Sequence, residues 1–252
     1  SSVFALLLCC PSRISEILAL PADCEITQID GKGIERYGLR FYSVKGYGPN
    51  IKWIPRVMIP VAKKAIRRLL SLSQNARALA HWCEKYPDKF YRHELCPTVD
   101  EKAKLTVVQV CHALGYNLFD HKSCVLKIKR TSLDGGKSFL NHNDYNYSLS
   151  NLWEIISSNF SRDFPWYDKE KSIKFSNALC LLNTDQFSLS RMTSIFTFYK
   201  PTKSFFFSDI QRKKSYEMNY KNIFSRYGYY DDEGKPLLIR SHQPRHLLNT
   251  IA

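Results

Sequence analysis

The chain has 252 residues, 44% hydrophobic and 13% aromatic, which excludes intrinsic disorder and leaves room for one large domain or two small ones. Its 37 Lys and Arg outnumber 23 Asp and Glu, a formal net charge of +14 that favours a polyanionic partner, nucleic acid ahead of an anionic membrane surface. The apolar run Val3 to Cys10 is too short to span a bilayer and lacks the flanks of a secretory leader, so it reads as a buried helix. The sequence opens on this run without Met and is expected to be a piece of something longer.

Residues 2–20 are predicted as two helical pieces broken at Pro11, with Ser12 capping the second and Ile14, Ile17 and Leu18 forming its buried stripe. Arg13 and Glu16 are three apart and share a face at that helix's start. Glu25 to Ile29 is a candidate strand, followed by a turn at Gly31-Lys32-Gly33. Arg36 to Lys45 alternates, with Tyr37, Leu39 and Phe41 on one side. After Gly46 to Asn50 turns the chain, Ile51 to Ile54 returns as the second arm of a hairpin with Lys45 at its tip.

Pro60 suits the first turn of the next helix, whose apolar stripe is Ala62, Ala65, Ile66 and Leu69. Lys63, Lys64, Arg67 and Arg68 fall largely elsewhere on it. Leu105 to Leu114 reads as a helix stopped by Gly115. Further helices are predicted over Leu152 to Phe160, Ile173 to Leu182 and Tyr216 to Tyr227. Ser241 is expected to cap a last helix carrying Leu247, Leu248 and Ile251, with His242 and Arg245 on its first turn, where free backbone N–H groups suit anions.

The positive charge is concentrated. From Lys32 to Arg77 there are eleven basic residues and a single acid, Glu35, so this stretch holds ten of the fourteen net charges. A solvated surface usually mixes its signs, and the concentration reads as a binding face. Arg36, Arg40, Lys52 and Arg56, on and beside the hairpin, are the expected DNA-binding residues.

The eight cysteines show no disulfide framework and are expected as reduced thiols in a cytoplasm. His81, Cys83, His93 and Cys96 share a 16-residue window, but their spacing fits no standard zinc ribbon or finger. No metal and no cofactor is assigned.

Metal-free DNA cleavage needs a nucleophile, cations around the phosphate and an acid for the leaving oxygen. Arg13-Ile14-Ser15-Glu16 at a helix start, Lys45 on a hairpin and His242-Gln243-Pro244-Arg245-His246 on a late helix occur here in that order. In this the chain resembles the tyrosine recombinases, the phage integrases and their relatives, and its Ser-His-Gln-x-Arg-His-x-x-Asn-Thr text resembles a subgroup of large bacterial integrases. The resemblance covers about residues 1–72 and 216–252.

The resemblance implies an α+β catalytic domain over 1–252, mainly helical, with a small antiparallel sheet and a large, mostly helical insertion over 73–234. It implies that Arg13 and Arg245 clamp the phosphate, that Lys45 protonates the leaving 5′ oxygen and that His242 assists. Glu16 would buttress Arg13, and His246 would pack beneath the site. The implied activity is site-specific cleavage and rejoining of double-stranded DNA through a phosphotyrosyl intermediate, by a homo-oligomer in a bacterial cytoplasm. The family's tyrosine follows the His-x-x-Arg helix, and none of the 15 tyrosines lies after Arg245. The sequence as it stands is therefore expected to bind without cutting. The other reading is a non-catalytic, architectural DNA-binding protein using the basic hairpin.

Overall fold

Pro11 separates two helices, α1 (Ser2–Cys9) and α2 (Ile14–Leu18), as its missing N–H requires. In the computed structural model, which describes residues 2–42, 49–131, 146–210, 221–238 and Gln243, they open the first of two units. That unit comprises Ser1–Leu72, Asn177–Cys180 and Lys200–Ala252; the second comprises Ser73–Ser176 and Leu181–Tyr199. Both combine helices with small antiparallel sheets, the α+β class expected. No helix of the described residues is long and apolar enough to cross a membrane.

In the first unit Val3, Leu6, Leu7 and Cys9 of α1 pack with the predicted stripe Ile14, Ile17 and Leu18 of α2. Burying each such aliphatic side chain stabilises by about 1.5–3 kcal/mol, enough to hold helices too short to persist alone. Ser12 does not cap α2. Arg13 holds the N-cap position with extended backbone, and Glu16, three residues on, accepts the Arg13 N–H at 2.8 Å.

Three strands follow in the order β1 (Glu25–Ile29), β2 (Glu35–Tyr42), β3 (Pro49–Trp53), all antiparallel. The first turn closes on Asp30, whose carboxylate accepts the N–H groups of Lys32 and Ile34. Alternation on β2 buries Tyr37, Leu39 and Phe41, as the sequence predicts. Gly38, between them, faces the other way, where a Cβ would stand 2.9 Å from both the Ile51 and the Trp53 side chains.

A 3-10 turn, Arg56–Met58, leads into α3 (Ile59–Lys85), and the predicted stripe of Ala62, Ala65, Ile66 and Leu69 is buried. The first unit also takes the segment 177–180, whose Leu179 N–H donates to the Leu20 carbonyl, and the helices α7 (Lys203–Ile210) and α8 (Ile223–Arg226). Phe206 of α7 meets Phe4 of α1 edge-on. Of the predicted Tyr216 to Tyr227 helix, residues 221–227 are described, and only the four residues of α8 are helical among them, starting after Asn222, whose extended backbone caps α8.

The second unit, Ser73–Ser176 with Leu181–Tyr199, carries hairpins besides its helices. Its helices after α3 are α4 (Val107–Ala113), α5 (His121–Arg130) and α6 (Leu149–Ser158). At the end of α4, Gly115 has φ +84°; its N–H donates to the His112 carbonyl and that of Tyr116 to the Cys111 carbonyl, a Schellman ending. The predicted helix over Ile173 to Leu182 is not one. Those residues form β5 (Ile173–Lys174), which pairs with β4 (Trp166–Asp168), a 3-10 turn, and the start of β6 (Leu182–Thr184), which pairs with β7 (Ser194–Tyr199). Short apolar runs do not distinguish a buried helix from a strand, and here the pairing partners decide. Phe160, Phe164, Phe175 and Phe198 close this core, with ring centroids 5.1–5.9 Å apart.

Candidate functional site

Arg13 stands at the N-cap of α2 with its side chain exposed, and its guanidinium bonds to no other described residue. What is constrained is its backbone. Glu16 Oε2 accepts the Arg13 N–H at 2.8 Å and a hydrogen bond from Lys52 Nζ at 3.0 Å. Lys52 also donates to the Pro11 carbonyl and to Ser12 Oγ, each at 3.0 Å. An ammonium has three N–H donors, and all three are engaged. Its charge also lies 4.4 Å from the centre of the Phe41 ring, a cation–π contact.

Ser12 is buried, and Lys52 and Glu16 are each about one-fifth exposed, so the pair is shielded from much solvent competition. Burial by itself would push the Glu16 carboxyl up. The hydrogen bond from the Arg13 N–H, then the hydrogen bond and charge of Lys52, outweigh it and hold the group below the usual range. Glu16 thus buttresses Arg13 through the main chain.

Lys52 is a correction. The sequence places it with Arg36, Arg40 and Arg56 on a DNA-binding face, but its three donors are consumed within the fold. The cause is register. Lys52 pairs with Leu39, so it shares the buried face of β2, whereas Arg40 pairs with Ile51 on the opposite face. No signal in the sequence reveals this, because alternation identifies two faces without saying which face of β3 meets which face of β2.

The other three cations point outward. Arg36 is exposed and donates through Nε to Asp30 at 3.0 Å. The N–H groups of Ile34 and Lys32, followed by this guanidinium, hold the Asp30 carboxyl below its usual range. Arg40, half-buried, and Arg56, exposed, have side chains bonded to no described residue. Gln28, opposite Arg36, and the half-buried Trp53, opposite Gly38, share the face of Arg36 and Arg40.

Lys45, His242, Arg245 and His246 lie outside the described residues; Gln243, between the last three, is helical. In the second unit, His93 Nε2 donates to the Ala113 carbonyl at 2.8 Å and Nδ1 accepts the Leu95 N–H at 3.3 Å. Both ring nitrogens are therefore occupied, and burial holds the imidazole below its usual value of 6.5. His81 is exposed and Cys83 is buried. Among the described residues no three His, Cys, Asp or Glu gather where they could hold a metal ion.

No family model, no curated protein and no solved structure matches this chain.

Proposed function

We propose that the chain is the DNA-handling part of a tyrosine-recombinase-like enzyme, cytoplasmic and DNA-associated, acting on double-stranded DNA as a homo-oligomer. The observation that carries this reading is Arg13: an exposed guanidinium on a backbone tied down by Glu16 and Lys52. A guanidinium keeps its charge at any working pH and offers a planar fork to two phosphate oxygens. The outward cations Arg36, Arg40 and Arg56 supply the sequence-independent attraction that brings a duplex to it.

In the reaction, a tyrosine hydroxyl attacks the phosphorus of the DNA backbone, and the bond to the 5′ oxygen breaks. A 3′-phosphotyrosyl ester forms and a 5′-hydroxyl leaves. Arg13 and Arg245 neutralise the charge that builds on the phosphoryl oxygens, Lys45 gives the departing oxygen its proton, and His242 assists the transfer. Rejoining is the reverse, with the 5′-hydroxyl as nucleophile. By the resemblance, the tyrosine would follow the His242-to-Arg245 motif.

The test is covalent trapping. A nicked suicide duplex is incubated with a form of the protein that carries residues 1–252 and continues through the next tyrosines, and denaturing gels are read for a DNA-linked band. The expected result is an adduct that disappears on Arg13→Ala. Firm duplex binding with no adduct would instead favour the architectural reading.

A further inference from the structure

From Arg36 to Cys83 the sequence holds ten basic residues and no Asp or Glu. Half of them are Arg56, Lys63, Lys64, Arg67 and Arg68, on the 3-10 turn and the first three turns of α3, and all five are exposed. None is in an ion pair with a described residue. Lys63 lies 5.1 Å over the ring of Tyr37, and Arg67 Nε reaches the Lys63 carbonyl at 3.4 Å. These contacts orient the side chains without neutralising them.

Such a face is unfavourable in isolation. Lys63 and Arg67 are four apart, as are Lys64 and Arg68, and like charges at that spacing repel. A merely solvated helix would place acids at the same spacing, and α3 has none before Glu84. From this geometry we infer that the first turns of α3 form a second DNA contact, gripping the phosphodiester backbone of a duplex away from the reacting phosphate. The duplex is taken from the function proposed above; the face is not, and it requires no cleavage chemistry.

Two other polyanions fit less well. A membrane surface would need a broad apolar face next to the cations, but Ala62, Ala65, Ile66 and Leu69 are buried in the core, and the exposed Val57, Val61 and Leu72 have no Trp or Phe beside them in residues 57–72 to enter the acyl region. A single-stranded nucleic acid would need exposed rings for its bases, and residues 59–72 contain no aromatic. What remains is a row of cations with no Asn, Gln or acid among residues 59–72 to pair with adenine or cytosine, which matches a duplex backbone and implies binding blind to sequence.

The triple variant K64Q/R67Q/R68Q tests this, since exposed Lys and Arg to Gln changes leave the core untouched; circular dichroism and the thermal midpoint verify folding. Residues 1–252, unaltered and triply substituted, are titrated by fluorescence anisotropy against labelled 30-bp duplexes of two unrelated sequences at several salt concentrations. Each phosphate contact contributes about 0.9 to the slope of log affinity against log salt. The expected result is a slope smaller by about 2 to 3 and binding roughly ten- to a hundredfold weaker at low salt, equally for both duplexes.

Unchanged affinity and slope would overturn the inference and leave the recombinase reading standing. Loss of binding to one duplex alone would also overturn it, because it would make these residues base readers. So would stronger binding of duplex RNA, a single strand or phosphatidylserine vesicles than of duplex DNA, if abolished by the same variant. Conversely, intact α3-dependent binding with no covalent adduct in the trapping experiment would reject the recombinase chemistry and leave this inference in place.

Discussion

Lys52 of β3 and Glu16 of α2 meet at 3.0 Å in a setting where each is about four-fifths buried, and Glu16 passes the constraint on to the Arg13 N–H. Removing Lys52 would leave a shielded carboxylate with one hydrogen bond and leave the Pro11 carbonyl and Ser12 hydroxyl without their donor. Lys52→Met should cost about 1–3 kcal/mol, less than a fully buried pair because some solvent remains. Urea denaturation should show a lower midpoint at unchanged slope. A double-mutant cycle with Glu16→Gln should return a coupling of at least about 0.5 kcal/mol. Additive effects would rule the pair out as a unit.

Glu16 also sets an acid limit. Its folded carboxyl titrates below the usual 4.5, so the stability it contributes is complete above that value and drains away as pH falls through the depressed one. Between pH 5 and 3 the unaltered protein should lose more stability than Glu16→Gln, measured as thermal midpoint against pH. Parallel curves would argue against the assignment.

Arg13 should behave in the opposite way to Lys52. Its guanidinium is exposed and bonded to no described residue, so Arg13→Ala should change stability by no more than about 0.5 kcal/mol. Adduct formation on a suicide duplex should nevertheless fall by about a hundred- to a thousandfold, the usual cost of deleting one preorganised partner of a developing oxyanion. Arg13→Lys should recover little, since a point charge cannot reproduce the two-oxygen fork. If cleavage persisted in Arg13→Ala, the phosphate clamp would have to lie elsewhere.

His93 should confer a pH dependence nearer neutrality. Burial lowers its folded value below 6.5, so an unfolded chain takes up the proton first as pH falls. Its contribution is whole above 6.5 and declines below it, because a protonated ring can no longer accept the Leu95 N–H. The thermal midpoint should drop between pH 7 and 5, and His93→Gln should flatten that part of the curve. An unchanged slope in the variant would assign the effect to another group.

At Gly115 an added Cβ would stand 2.7 Å from the Ile195 Cδ1 atom, in a backbone with φ +84° that side chains rarely adopt. Gly115→Ala should destabilise by about 1–3 kcal/mol. The double variant with Ile195→Ala should recover the steric part but not the conformational part. Full recovery would mean that the backbone at 115 is not strained.

Much of this fold is legible along the chain because it rests on local periodicity. Pro11 divides α1 from α2, the i, i+3, i+4 spacing of Ile14, Ile17 and Leu18 marks a buried stripe, and alternation puts Tyr37, Leu39 and Phe41 inside. The helix stop at Gly115 is also readable. The hairpins of the second unit are not, because Ile173, Phe175 and Leu182 are apolar for helix and strand alike until their partners are known.

Among the candidate site residues, residue type and order single out Arg13, and one helical turn explains Glu16. Lys52 marks the limit. Its sequence neighbours are those of a surface cation, yet the pairing of Lys52 with Leu39 turns it inward, onto Phe41 and Glu16. A slip of one residue would send the same ammonium to the outer face beside Arg40, because side chains alternate with a period of two. That choice depends on long-range strand pairing, and it separates a cation on the outer face from one whose donors are spent within the fold.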